Sequence, residues 1–253
     1  MYVFHRILLF LIPIAWIVGM EVVKKYYSSW WIVGICFFVL LLAVNFFICK
    51  KKLNKNFLHF LILPFCFSVS GFLFLIFLVN LTLYHVLVVL IALILYFLVK
   101  QYYLYFYFPL KYQPYSLESL SVYIIMAAIF FLFSSLFAAR ILLRFDLILL
   151  LLIMVVMLSL IVYYFYWINK ISFNRSKIFI IITALIAAEL FVAISYLPTS
   201  YYVNAFMITI SLYLVLNLGK LFLLDLLNKR RIINHIVVAT IALLAVILTA
   251  RWD

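Results

Sequence analysis

The sequence predicts an all-α fold: a polytopic transmembrane helical bundle of about nine spans with its N-terminus on the cytoplasmic side. Three observations carry this. Hydrophobic residues make up 72% of the 253 and charged residues only 10%, a ratio at which a water-soluble domain could not clothe its surface in polar groups. The apolar residues fall into runs of about 20, the length at which a helix rising about 1.5 Å per residue crosses a hydrocarbon core about 30 Å thick. The 19 Lys and Arg collect unevenly in the gaps between those runs, as the bias of cytoplasmic loops toward positive charge requires.

The spans are 7–23, 30–49, 57–79, 81–99, 120–139, 147–168, 178–197, 203–224 and 232–250. They take up about 180 residues and leave about 70 for every connection and both tails. Residues 1–253 therefore read as a single transmembrane helical domain with no extramembrane unit. The first span follows Arg6 and resembles a signal peptide, but Glu21 to Lys25 offer no small-x-small cleavage site, so it reads as an uncleaved anchor. The third and fourth spans form one apolar stretch of 43 residues, 57–99, which as one helix would be roughly 64 Å long. That is twice the membrane core, so the chain folds back, and the polar trio Asn80, Thr82 and His85 marks the turn. Asn80-Leu81-Thr82 also matches a glycosylation acceptor, in a turn too close to the bilayer for use.

Between the fourth and fifth spans lies the longest loop, 100–119, which carries Lys100, Tyr102, Tyr103 and six further aromatic residues around Pro109 and Pro114. Rings with polar tips suit the headgroup level, so the loop is an aromatic belt with the fourth helix running on to about Phe108, or a platform for a lipid headgroup or partner. Next, Arg140 and Arg144 stand four apart beside Asp146. Two guanidinium groups on one helical face would bind a phosphate or carboxylate; a solvated charge pair is the plainer reading. After the eighth span, Lys220 to Arg231, including Lys229 and Arg230, reads as an amphipathic tail lying in the interface.

Orientation follows from charge. Fourteen Lys and Arg occupy one set of alternate connections and five the other, which places the N-terminus inside and the C-terminus outside. The net charge of +13 thus reports topology and attraction to anionic headgroups on the cytoplasmic side. The charges form no stripe, and nucleic acid is excluded as a partner.

Glu189 is the only acidic residue deep in any span, roughly midway along the seventh. It is either a proton, cation or substrate contact, with Tyr196 and Tyr213 as neighbours in that role, or a hydrogen-bonded Glu that glues helices together. Its candidate intrachain partners are Ser68, Ser70, Thr240 and Tyr213. The same helix concentrates small residues, with Ala184 and Ala188 in small-xxx-small spacing, and reads as central to the bundle. His5, His59, His85 and His235 pair with no second ligand at helical spacing, no zinc pattern occurs, and the three cysteines, Cys36, Cys49 and Cys66, form no CxxC. With four glycines, no phosphate-binding glycine loop exists. Neither metal nor cofactor is expected.

Two function classes follow. The first is a non-catalytic membrane component: a subunit, assembly factor or scaffold with a membrane-protein partner. The second is a transporter or channel for a small or lipidic solute that uses Glu189. The scarcity of glycine and the absence of visible repeats speak against broken-helix transport. An enzyme at the interface has least support, because Arg140 and Arg144 lie on the opposite face from the Tyr-rich loop. The excess of Phe, Ile, Tyr, Lys and Asn suits an AT-rich genome and a prokaryotic inner membrane. Reporter fusions are expected to place residue 54 inside and residue 201 outside; the reverse result at either position contradicts this topology.

Overall fold

The computed structural model describes residues 2–48 and 55–250, with side chains described for 9–48 and 57–250. Cys49, Lys50, Lys51, Lys52, residue 54 and Arg251 lie outside the described residues, as do the side chains of His5, Arg6 and Lys55. Nine helices and no strand occur among the described residues: α1 (Tyr2–Lys25), α2 (Trp30–Ile48), α3 (Lys55–Ile76), α4 (Leu81–Tyr107), α5 (Ser116–Leu142), α6 (Leu147–Ile168), α7 (Phe173–Ile194), α8 (Tyr201–Leu223) and α9 (Lys229–Thr249). Eight of them, α2 to α9, are long and apolar enough to cross a membrane, and the chain is an integral membrane protein. It divides into two compact units, residues 1–124 and 125–253.

In the first unit α1 runs antiparallel to α4. Near one end the rings of Phe10 and Tyr96 stack at 5.1 Å; eleven residues on along α1 and eleven back along α4, Glu21 meets His85. Small residues set the helix spacings. A Cβ on Gly19 of α1 would stand 2.8 Å from Val33 of α2, and one on Gly71 of α3 would stand 3.1 Å from Ile91 of α4. Pro13 and Pro64 sit inside α1 and α3, and both helices continue through them.

The second unit contains the larger part of α5 and α6 to α9, with α6, α7, α8 and α9 packed in sequence. α7 buries Ile180, Thr183, Ala184, Ala187, Phe191 and Ile194, a spacing of three and four that makes one helical stripe. Phe191 meets Phe137 of α5 at 4.7 Å between ring centres. Gly219 of α8 lies where α6, α7 and α8 meet: a Cβ there would be 2.5 Å from the hydroxyl oxygen of Tyr166 and 3.2 Å from the ring of Phe179.

The connections show how the chain turns with so few glycines. Asn80 caps α4, its Oδ1 accepting from the backbone N–H groups of Thr82 (3.0 Å) and Leu83 (3.3 Å). The apolar run 57–99 therefore folds back at the expected trio, and the would-be glycosylation acceptor is a helix cap. Tyr115, Arg144, Lys170 and Asp225 have φ between 54° and 65°. All four flank helix ends, where glycine usually takes this left-handed conformation at no steric cost.

α4 runs on to Tyr107, in line with the reading that extends it to about Phe108, because Tyr102 and Tyr103 are buried and extend its packed face; Tyr102 meets Phe60 of α3 at 4.8 Å. Two other readings are corrected. α7 ends at Ile194 rather than Leu197: Pro198 disfavours helical geometry in the residue before it, and Ser195 closes the last turn on the Phe191 carbonyl. The stretch after α8 is no interfacial helix. Lys220 sits in the last turn of α8, Lys229, Arg230 and Arg231 open α9, and a short turn joins them.

Gly219→Ala is expected to force the packed Tyr166 aside and lower stability in detergent by about 1–3 kcal/mol. Gly34, beside which a Cβ meets nothing within 4 Å, supplies the control: Gly34→Ala should leave the thermal midpoint unchanged or raised. Equal midpoints for the two variants would contradict the packing described.

Candidate functional site

Glu189 is exposed, and α7 explains why. The buried stripe of this helix holds Ala184, Ala187 and Phe191, and the opposite face presents Ile178, Ile182, Leu185, Glu189 and Ala193 outward, with Tyr196 exposed just beyond the helix end. Leu185 is 56% exposed and Tyr196 76%. α7 is therefore not central on all sides. The carboxylate lies within the apolar span, five residues before Ile194, about 7.5 Å of helix from the end.

Three of the four proposed intrachain partners of Glu189 are engaged elsewhere, and the fourth, Thr240 of α9, is exposed and makes no bond to it. Ser68 and Ser70 donate to the carbonyls of Pro64 and Cys66, each at 2.7 Å. Tyr213 of α8 bonds through its hydroxyl to Nδ1 of His235 in α9 at 3.0 Å, so Glu189, Tyr196 and Tyr213 form no joint site. Among the described residues Glu189 makes no hydrogen bond or ion pair. Glue within the chain is thus not its role here.

The arginine pair also comes apart. α5 ends at Leu142, and Arg144 lies beyond it with φ 54°, so the two guanidinium groups do not share a helical face. Arg140 donates from Nη1 to the Phe145 carbonyl at 2.9 Å and closes the helix end. Tyr102 is wholly buried, which removes it from any lipid interface, while Lys100 is exposed. Tyr103 is buried yet lines a cavity of about 550 Å³ together with Lys100 and Lys111.

A second cavity of about 390 Å³ lies among α1, α2 and α3, walled by Trp16, Trp30, Phe37, Phe65 and Phe72. Ser68 on its wall already donates to its own helix, so the space suits apolar matter such as an acyl chain.

The cluster with the most chemistry is one the sequence reading missed. Nδ1 of His85 lies 2.9 Å from Oε1 of Glu21, and Nζ of Lys24 lies 3.1 Å from Nε2 of the same ring. An ammonium donates only, so in this arrangement Nε2 is the acceptor from Lys24 and Nδ1–H faces the carboxylate as donor. Lys24 also sits 4.4 Å above the Tyr84 ring, and the Tyr84 hydroxyl donates to the Met20 carbonyl at 2.9 Å. The arrangement ties the end of α1 to the start of α4 beside a cavity of about 240 Å³ that Lys24 and Tyr84 help to line. The lysine occupies the nitrogen a general base would use, so the trio works as a clamp. Its partners stand 64 residues apart, beyond any search at helical ligand spacing. The signal was topological: antiparallel spans one and four bring residues 21–24 and 85 to one end.

Among the described residues no three His, Cys, Asp or Glu converge on a metal position. In comparisons with known protein families, curated proteins and solved structures, the chain matches none.

A double-mutant cycle of Glu21→Gln and His85→Ala, read by unfolding in detergent, is expected to give a coupling of about 0.2–1 kcal/mol, the range for half-exposed pairs. Strictly additive effects would contradict the contact.

Proposed function

We propose that this integral membrane protein is a non-catalytic component of a membrane assembly, a subunit, scaffold or assembly factor that associates side-on through α7. The observation that carries this is the exposed Glu189 on an otherwise apolar face, without an intrachain partner. A carboxylate in hydrocarbon is costly, and a transmembrane helix that offers it a hydrogen-bond donor or a cation removes that cost while covering Leu185 and Ala193. The alternative, a transporter or channel for a small or lipidic solute, needs Glu189 to line a solute path. The three cavities described above are lined by residues between Leu9 and Lys111, not by Glu189. The partner is a membrane protein in the same bilayer, and a prokaryotic inner membrane remains the proposed location.

Photo-cross-linking in native membranes, with the reactive group at Leu185 or Ala193, is expected to give an adduct of discrete mass. Glu189→Leu should abolish it while leaving the isolated protein as stable or more stable, by about 1–3 kcal/mol, because a charge leaves the lipid face. Glu189→Gln, which keeps hydrogen bonding, should retain part of the adduct. Loss of stability in Glu189→Leu with no adduct in the wild type would overturn this reading, as would a solute flux abolished by Glu189→Gln.

A further inference from the structure

The cavity of about 550 Å³ in the first unit is built from three elements. α1 contributes Phe10, α4 contributes Tyr96, Lys100 and Tyr103, and the connection that follows contributes Phe108 and Lys111. Its walls are apolar and aromatic, and its two charged groups have the same sign. Among the described residues neither lysine has a carboxylate partner; each instead lies near a ring, Lys100 Nζ 6.0 Å from the centre of Tyr96 and Lys111 Nζ 5.7 Å from that of Phe108.

Lys111 is held in place. Its backbone N–H donates to the Phe108 carbonyl at 2.9 Å, and that of Tyr112 to the same carbonyl at 3.1 Å. The Tyr112 hydroxyl donates to Glu118 and accepts from the Leu117 N–H, each at 3.2 Å. Tyr112 is thereby pinned to the start of α5, and burial raises its phenol above the ordinary range, so it stays neutral and able to donate. A connection fixed in this way leaves the lysine side chain, but not the backbone that carries it, to be ordered on binding.

We propose that this cavity binds the phosphate of an anionic glycerophospholipid between Lys100 and Lys111. The lipid, rather than a free anion, is favoured by what adjoins the cations. Exposed apolar residues continue along α1 from the cavity, at Phe10, Ile14 and Val18, one turn apart, and form a track for an acyl chain. The site stands at the end of the unit that the charge asymmetry places on the cytoplasmic side, where anionic headgroups attract lysine. It involves no residue of α7 and is independent of the association proposed above.

The test is native mass spectrometry of the full-length chain in detergent, titrated with phosphatidylglycerol or phosphatidylcholine. The wild type should retain phosphatidylglycerol at least tenfold better. Lys100→Gln and Lys111→Gln should each weaken retention about fivefold, and together they should erase the preference. Lys177→Gln, an exposed charge elsewhere, should change nothing, and inorganic phosphate at equal concentration should not displace the lipid. If the double variant does not fold, Leu104→Trp, at a residue of α4 that also lines the cavity, fills it without altering charge and should abolish retention. An unchanged preference in the double or cavity-filled variant, equal loss with Lys177→Gln, or displacement by inorganic phosphate would each overturn the proposal.

Discussion

The structure depends on the rule that a backbone N–H or C=O in hydrocarbon must find its partner inside the protein. Helices satisfy it residue by residue, and the same rule governs the polar side chains within them. Ser68, Ser70, Thr183, Thr209, Ser211 and Asn217 each donate to the carbonyl four residues back in their own helix. Polar content of this kind looks like chemistry in a sequence and is spent locally. Bonds that cross between helices include, among the described residues, Tyr84 to Met20, Tyr213 to His235, Tyr107 to Phe47, Ser116 to Gln101 and the Glu21–His85–Lys24 clamp. Those bonds, with close approaches at Gly19, Gly71 and Gly219, fix which helices meet.

The sequence revealed the fold class because it depends on apolar length, which composition reports directly; of the nine runs read as spans, eight are helices long and apolar enough to cross a membrane among the described residues. Residues 147–168 are helical from first to last as expected. The α3–α4 turn was legible because Asn80 is a capping residue in a long apolar run. What failed did so for reasons of tertiary context. Tyr102 has the amphipathic ring of an interface residue, and only the position of Phe60 shows that it is core. The Arg140 and Arg144 spacing implied one helical face, and a left-handed Arg144 breaks it. The outward turn of Glu189 could not be read from α7 alone, since both faces of that helix are apolar enough to pack.

Charge placement reflects the membrane more than the helices. Lys229, Arg230 and Arg231 open α9, where the positive end of the helix dipole disfavours cations. Local helix energetics would put acids there. That three bases stand there instead fits a selection on topology, the same asymmetry that gathers Lys170, Arg175 and Lys177 around the start of α7.

The central claim is that Glu189 stands on an outward, dry face of α7. Spin labels at Leu185→Cys, Ala193→Cys and Ala187→Cys, with native cysteines replaced and the purified protein in bilayers, test it by relaxation. Oxygen, which partitions into lipid, should reach the labels at 185 and 193 and be excluded at 187, while a water-soluble nickel reagent reaches none of the three. Nickel access at 185 would contradict the account, because it would put Glu189 beside a hydrated path rather than at a contact surface in the membrane.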